Sequence, residues 1–243
     1  MPGTVPLLAA LALLALPTAA LARDAVDLAL VLAVDISGSI DSEEAAQQRE
    51  GYVSAIADPQ VIAAIRSTAT GRITLTYVEW SGADSQQVVI PWTVIDGAPA
   101  AEAFAGRLAE TPTHRGMWTS ISGAIDFAVP LFGLAGVDAE RRAIDVSGDG
   151  VNNRGRPVTQ ARDEAVARGI VINGLPIMND RPNPYGSATP VEVALDRYYA
   201  ENVIGGPGSF IVPAPDFTAF KAAILRKLIL EIAGEAPAPL ASR

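Results

Sequence analysis

From Asp27 to Ala233 the chain alternates between short apolar runs and stretches whose apolar residues recur every three or four positions. Leu28 to Val34 is an unbroken apolar run of the length of a fully buried strand. "RITLTYVEW" (Arg72 to Trp80) alternates and is rich in β-branched residues, and "QQVVIPW" beyond the Gly82 turn supplies its hairpin partner. "RRAIDVSGDG" reads as a short buried strand, and Ile170 to Pro176 and Ser209 to Val212 as two more. Between them the periodicity predicts helices. One runs from a Ser42 cap, with Glu43 and Glu44 in its first turn, towards Ala57, and Asp58-Pro59 starts a shorter one through Ile65. Others cover Ala98 to Ala109, Ser120 to Phe132, Thr159 to Arg168, Pro190 to Ala200 and Asp216 to Ala233. In the last, Phe217, Phe220, Ile224, Leu228 and Ile232 recur at helical spacing and are expected in the core. The alternation predicts an α/β fold: a Rossmann-like, doubly wound, mainly parallel central sheet flanked by helices.

Ahead of this lies "MPGTVPLLAALALLALPTAALA", an apolar stretch ending on the small-x-small triplet Ala20-Leu21-Ala22. Residues 1–22 are therefore read as a secretory signal, although no Lys or Arg precedes the apolar stretch, which leaves an uncleaved anchor as the alternative. Residues 23–234 form the predicted domain, and 235–243, Pro/Ala-rich, a disordered tail. No second apolar stretch is long enough to span a bilayer, so a periplasmic or secreted protein is expected.

Composition narrows the chemistry. With no Cys, thiolate zinc sites and disulfides are excluded. A net charge of −9 argues against a nucleic-acid partner, which needs clustered Lys and Arg. The single His, His114, would have to carry any His-dependent catalysis alone, and a surface or loop-packing role suits it better. No phosphate-binding glycine loop follows a strand, and Gly205 to Gly208 reads as a turn.

In an open parallel sheet, ligands collect at the carboxyl ends of the strands. "VLAVDISGSID" puts Asp35, Ser37 and Ser39 at that edge, "GMWTSISGAID" delivers Thr119, and "DVSGDGVNN" delivers Asp149. Taken alone the first stretch is also turn and cap chemistry. Together the five are hard oxygen donors suited to Mg2+, with Mn2+ or Ca2+ as alternatives, and they leave room for water and a ligand oxygen. Glu79, at the end of its strand, is either an acidic wall of this site or a solvated or Arg-paired strand-end carboxylate.

Asp35-x-Ser37-x-Ser39, Thr119 and Asp149-Gly150, in this order on this strand pattern, resemble the metal-ion-dependent adhesion site of von Willebrand factor A domains. The resemblance runs from about Val26 to Ala233. "INGLPI", "YYAENVIGGPGSF" and "FKAAILRKLILEI" further resemble an uncharacterised family of exported bacterial proteins with this fold. It implies that Ser37 and Ser39 ligate the metal directly and Asp35 directly or through water. Thr119 would bind directly or by water according to conformational state, Asp149 through water, and a carboxylate from a protein partner would complete the sphere. One departure is "MWTS", which sets Trp118 where adhesion domains commonly carry Gly, narrowing the approach or offering the partner an apolar contact.

The expectation is thus a non-enzymatic, cation-dependent interaction module. Two alternatives stand beside it: a scaffold with a purely structural metal, and a Mg2+-dependent phosphatase of the haloacid dehalogenase type. "GDGVNN" is close to the acidic motif of those phosphatases, but Ser37 occupies the place of their general acid and cannot donate a proton as a carboxylic acid would. The chain's two lysines, Lys221 and Lys227, lie downstream of the acidic motif, so none precedes it to bind phosphate.

Overall fold

The structure is a computed structural model that describes residues 23–178 and 194–234. The proposed signal (1–22), the tail (235–243), the "NDRPNPYGSATP" loop and the start of the helix placed at Pro190 lie outside the described residues. Five strands form one sheet in the order β3-β2-β1-β4-β5. They are β1 (Ala25–Asp35), β2 (Ile73–Trp80), β3 (Gln86–Ile95), β4 (Asp138–Gly148) and β5 (Val171–Pro176). All neighbours run parallel except the β2–β3 hairpin.

The central strand explains its own sequence. Leu28, Leu30, Leu32 and Val34 join one apolar cluster and Val31 and Ala33 the other. A strand covered on both faces is apolar throughout rather than at alternate positions. One face is covered by α1 (Ser42–Ile56), α2 (Pro59–Ser67), α3 (Ala98–Glu110) and α7 (Phe220–Ala233). The other is covered by α4 (Ile121–Leu131), α5 (Val158–Ala167) and the segment from α6 (Leu195–Tyr198) into a π-helical turn, Tyr199–Val203. The five apolar residues expected at helical spacing near the C-terminus are all buried in the first cluster.

Several boundaries move for local reasons. The cap of α1 is Asp41, one residue before Ser42: its carboxylate accepts from the backbone N–H groups of Glu43 and Glu44, and Glu44 accepts from Asp41 N–H at 2.9 Å. Both residues suit a cap, and the reciprocal bond from the Glu three positions on selects Asp41. The expected strand at Ser209 to Val212 is instead a ragged edge that makes isolated bridges to β5, such as Gly174 with Ile211. Gly206 and Gly208, both at positive φ, turn the chain just before it, and Pro213 just after it lacks a donor. α7 begins at Phe220 rather than Asp216, because Asp216 bonds Thr218 Oγ1 and Ala219 N–H in a turn of its own.

Strand order places the functional edge. The connection leaving β1 leads to β2 on one side and that leaving β4 leads to β5 on the other, so the carboxyl ends of β1 and β4 flank the point where the winding reverses. Asp35 ends β1, and Asp149 follows the last residue of β4.

Candidate functional site

Three loops meet at this switch point. Asp35 Oδ1 accepts from Ser37 N–H at 2.7 Å, which folds the loop back on the strand end. Ser37 and Ser39 hydroxyls lie 3.2 Å apart, and Ser39 Oγ donates to Asp149 Oδ1 at 2.6 Å across the β1–β4 gap. Thr119 brings its hydroxyl against the next residue, where a Cβ on Gly150 would lie 3.5 Å from Thr119 Oγ1. The structure thus gathers all five predicted residues at one edge.

The third loop is tied to the second by two asparagines. Asn153 Oδ1 accepts from Thr119 N–H at 2.9 Å and Asn153 N–H donates to Thr119 O at 2.8 Å. Asn152 Oδ1 accepts from Ser122 N–H at 2.9 Å at the start of α4. The side chains of "GDGVNN" thus reach across to a neighbouring loop, Asn153 orienting Thr119 and Asn152 the start of α4. Gly116 lies so close to Ser81 that a Cβ there would fall 1.9 Å from Ser81 Oγ, so this loop packs backbone to strand end.

The electrostatics of Asp35 are set by burial. Its carboxyl is fully buried, and burial, then the nearby Asp149 carboxylate, hold it well above the usual carboxylate range against the bonds from Ser37. Among the described residues no Lys, Arg or His forms an ion pair with it. Its second oxygen, Oδ2, has no hydrogen-bond partner among the described residues. Tyr199 lies close by, fully buried, and burial together with the charges of Asp35 and Asp149 pushes its phenol far up. Sequence reasoning missed Tyr199. The period of a π-helical turn is not that of an α-helix, and nothing local in "DRYYAENV" points to a strand end far upstream.

Glu79 resolves to the second of its two readings. It is buried and pairs with Arg49, which also donates to the carbonyls of Leu108 and Thr111. Its other oxygen takes His114 Nδ1 at 2.9 Å and Gln87 Nε2 at 3.1 Å. That also engages the chain's single His in loop packing. Trp118 sits at the rim with φ +70°, the one non-glycine residue at positive φ among the described residues. It is 49% exposed beside Met117, 69% exposed, and the Arg154 guanidinium stacks 3.7 Å above its ring.

Among the described residues no cluster of three or more His, Cys, Asp or Glu is positioned to hold a metal. A cation at the switch point would therefore depend on the three hydroxyls, and a buried carboxylate oxygen without a partner is the kind of donor it would take up.

The fold is that of von Willebrand A-type α/β domains. The chain belongs to a family described as "Protein of unknown function (DUF1194)", whose model matches residues 25–236. Solved structures share the fold. Proximal thread matrix protein 1 from the mussel byssus aligns with TM-score 0.61 and 15% identity over 87% of this chain and 49% of that one. The pilus adhesin SpaC from Lactobacillus rhamnosus GG gives 0.60 and 14% over 87% and 31%. A von Willebrand factor type A protein from Catenulispora acidiphila gives 0.53 and 15% over 86% and 43%. The chain thus spans about half or less of each of these proteins. One structure of the mussel protein is described as having a zinc-occupied MIDAS motif, the metal-ion-dependent adhesion site. No curated protein matches the chain in sequence.

Proposed function

We propose that the chain is an exported, non-enzymatic interaction module that holds a divalent cation at Asp35, Ser37, Ser39, Thr119 and Asp149. The cation's open coordination position takes a carboxylate of a protein partner. The observation that carries this reading is the convergence of three hydroxyls and two carboxylates from three loops at one sheet edge, with the Asp35 carboxyl fully buried there. The zinc-occupied motif of a mussel protein with this fold supports a divalent ion. A donor set of oxygens alone, without His or Cys, favours Mg2+ or Mn2+ over zinc. Export rests on the signal pattern of residues 1–22, and no described helix is long and apolar enough to cross a membrane.

The rim speaks for a protein ligand. Met117 and the open face of Trp118 offer apolar contact beside Thr119, and the Arg154 guanidinium, stacked on that ring, meets no carboxylate among the described residues. Aromatic and Arg side chains of this kind are the usual anchors of an interface. Calorimetric titration of Mg2+ and Mn2+ tests the ion, and absence of binding to folded protein overturns it. Capture of partners from envelope extract, with and without EDTA, tests the bridge. Recovery is expected to fall in EDTA and in the Asp35→Ala and Ser37→Ala variants. Equal recovery in all samples would leave only a scaffold.

A further inference from the structure

Two buried oxygens face one glycine beneath the candidate cation site. A Cβ on Gly148, the last residue of β4, would lie 2.8 Å from Asp35 Oδ2 and 3.0 Å from the Tyr199 hydroxyl. Both side chains are fully buried, and neither oxygen has a hydrogen-bond partner among the described residues. Leaving a buried polar group unpaired is costly, and buried tyrosine hydroxyls ordinarily find a partner. A phenol donates where a carboxylate can only accept, so the two unsatisfied groups are chemically complementary.

The fold brings them together by design of three elements. Alternation along β1 carries Asp35 to the face of Val31 and Ala33, which is the face Tyr199 packs on. The ring lies against β5, where a Cβ on Gly174 would fall 2.7 Å from Tyr199 Cδ1, so Gly148 and Gly174 together form the slot it fills. The backbone that delivers it is the π-helical turn Tyr199–Val203, a geometry that recurs at functional sites. The preceding hydroxyl, of Tyr198, accepts from Asn152 N–H at 3.1 Å, which anchors the same segment to the loop of Asp149.

We infer that Tyr199 is a positioning residue of the cation site: with the ion bound, its hydroxyl turns to donate to Asp35 Oδ2, a bond the metal-free chain does not make, and so orients that carboxylate as a ligand. The inference rests on the cation reading above. Donors of this kind to metal ligands set ligand orientation, and their loss typically weakens metal binding 10- to 100-fold.

The test titrates Mg2+ and Mn2+ calorimetrically into the full chain as wild type, Tyr199→Phe and Tyr52→Phe. Tyr52 is a matched control, a fully buried tyrosine on the opposite face whose hydroxyl bonds Ser147 at 3.0 Å. Tyr199→Phe is expected to bind both ions about 10- to 100-fold more weakly, and Tyr52→Phe to bind as wild type does. The metal-free melting temperature of Tyr199→Phe should stay near that of wild type. The near-ultraviolet tyrosine difference spectrum that Mg2+ induces should vanish in Tyr199→Phe at saturating Mg2+, a signal that ring packing alone would not move. Gly148→Ala reaches the same two oxygens from the other side, since its methyl group would crowd both, and should weaken binding likewise. Wild-type affinity in either folded variant overturns the inference and leaves the cation reading standing. Failure of wild type itself to bind either ion removes both.

Discussion

Two pairs of carboxylates lie along the two central strands, one in the interior and one at the edge, and they are treated differently. In the interior, Asp145 of β4 and Glu231 of α7 share Lys227, whose ammonium lies 2.6 Å from Asp145 Oδ1 and 2.5 Å from Glu231 Oε1. Asn173 adds a bond to the same Glu231 oxygen at 3.0 Å. At the edge, Asp35 sits near Asp149 with hydroxyl and backbone donors around it and, among the described residues, no ion-pair partner. In the interior the chain supplies its own cation from α7. At the switch point it supplies ligands instead, and the compensating charge has to arrive from outside.

Removing the internal cation should give the largest effect. Lys227→Met leaves two carboxylates buried without compensation, a change that typically costs about 3–5 kcal/mol. Urea unfolding should show that loss while Mg2+ affinity of the remaining folded protein stays at the wild-type value. A stability change below about 1 kcal/mol would mean that the cluster does not depend on its ammonium.

The same cluster makes a pH prediction. Burial, followed by the charge of Asp145, holds the Glu231 carboxyl up at about 7 from its ordinary value of 4.5, against the opposing pull of Lys227. A raised carboxyl pKa means that the folded chain keeps a proton the unfolded chain has lost. Its contribution to stability is complete below pH 4.5 and is gone once the pH passes about 7. Across that window it removes on the order of 3 kcal/mol. Urea unfolding at pH 5 and pH 8 should therefore show a drop for wild type that is smaller by roughly this amount in Glu231→Gln. An equal drop in both would place the titration elsewhere.

This contrast also shows how far sequence reaches. The edge pair was legible because each member ends an apolar run, and strand ends of a parallel sheet meet at one side whatever the packing in between. The same logic gave the strand core, since Leu28 to Val34 can be apolar throughout only if both faces are covered. The interior pair was hidden. Lys227 lies in a helix whose apolar spacing is sound without it, and a lone Lys there reads as solvated until α7 is docked over Asp145. Tyr199 was hidden similarly, because its value comes from the space two glycines leave on β4 and β5. Nor could the Asp41 cap or the ragged segment beside β5 be separated from their neighbours by composition, since reciprocal bonding and a turn flanked by glycine and proline decided them.

If the edge waits for an external cation, adding one should stabilise it where the interior needs none. At a Mg2+ concentration a hundredfold above its dissociation constant, the folded state should gain about 2.7 kcal/mol, read as a rise in melting temperature that EDTA reverses. Asp35→Asn keeps the acceptor for Ser37 N–H but lowers the negative charge, so its metal-free form should be no less stable than wild type and should lose the Mg2+ response. An Asp35→Asn protein that still gains stability from Mg2+ would move the ion away from this carboxylate.

The smallest effect concerns strain at the rim, where nothing in the interior has a counterpart. Trp118 holds φ +70°, a conformation that costs a side-chain-bearing residue roughly 1–2 kcal/mol and glycine almost nothing. Comparing Trp118→Ala with Trp118→Gly isolates that cost, because both lose the ring stacked by Arg154 and only one relieves the backbone. The Gly variant should be more stable than the Ala variant by about 1 kcal/mol in urea unfolding, the reverse of the order at an ordinary loop or helix position. Both should capture less partner than wild type, since both remove the exposed aromatic face. An Ala variant as stable as the Gly variant would show that the loop relaxes without cost. In that case Trp118 would be tolerated beside Thr119, and not held there against strain.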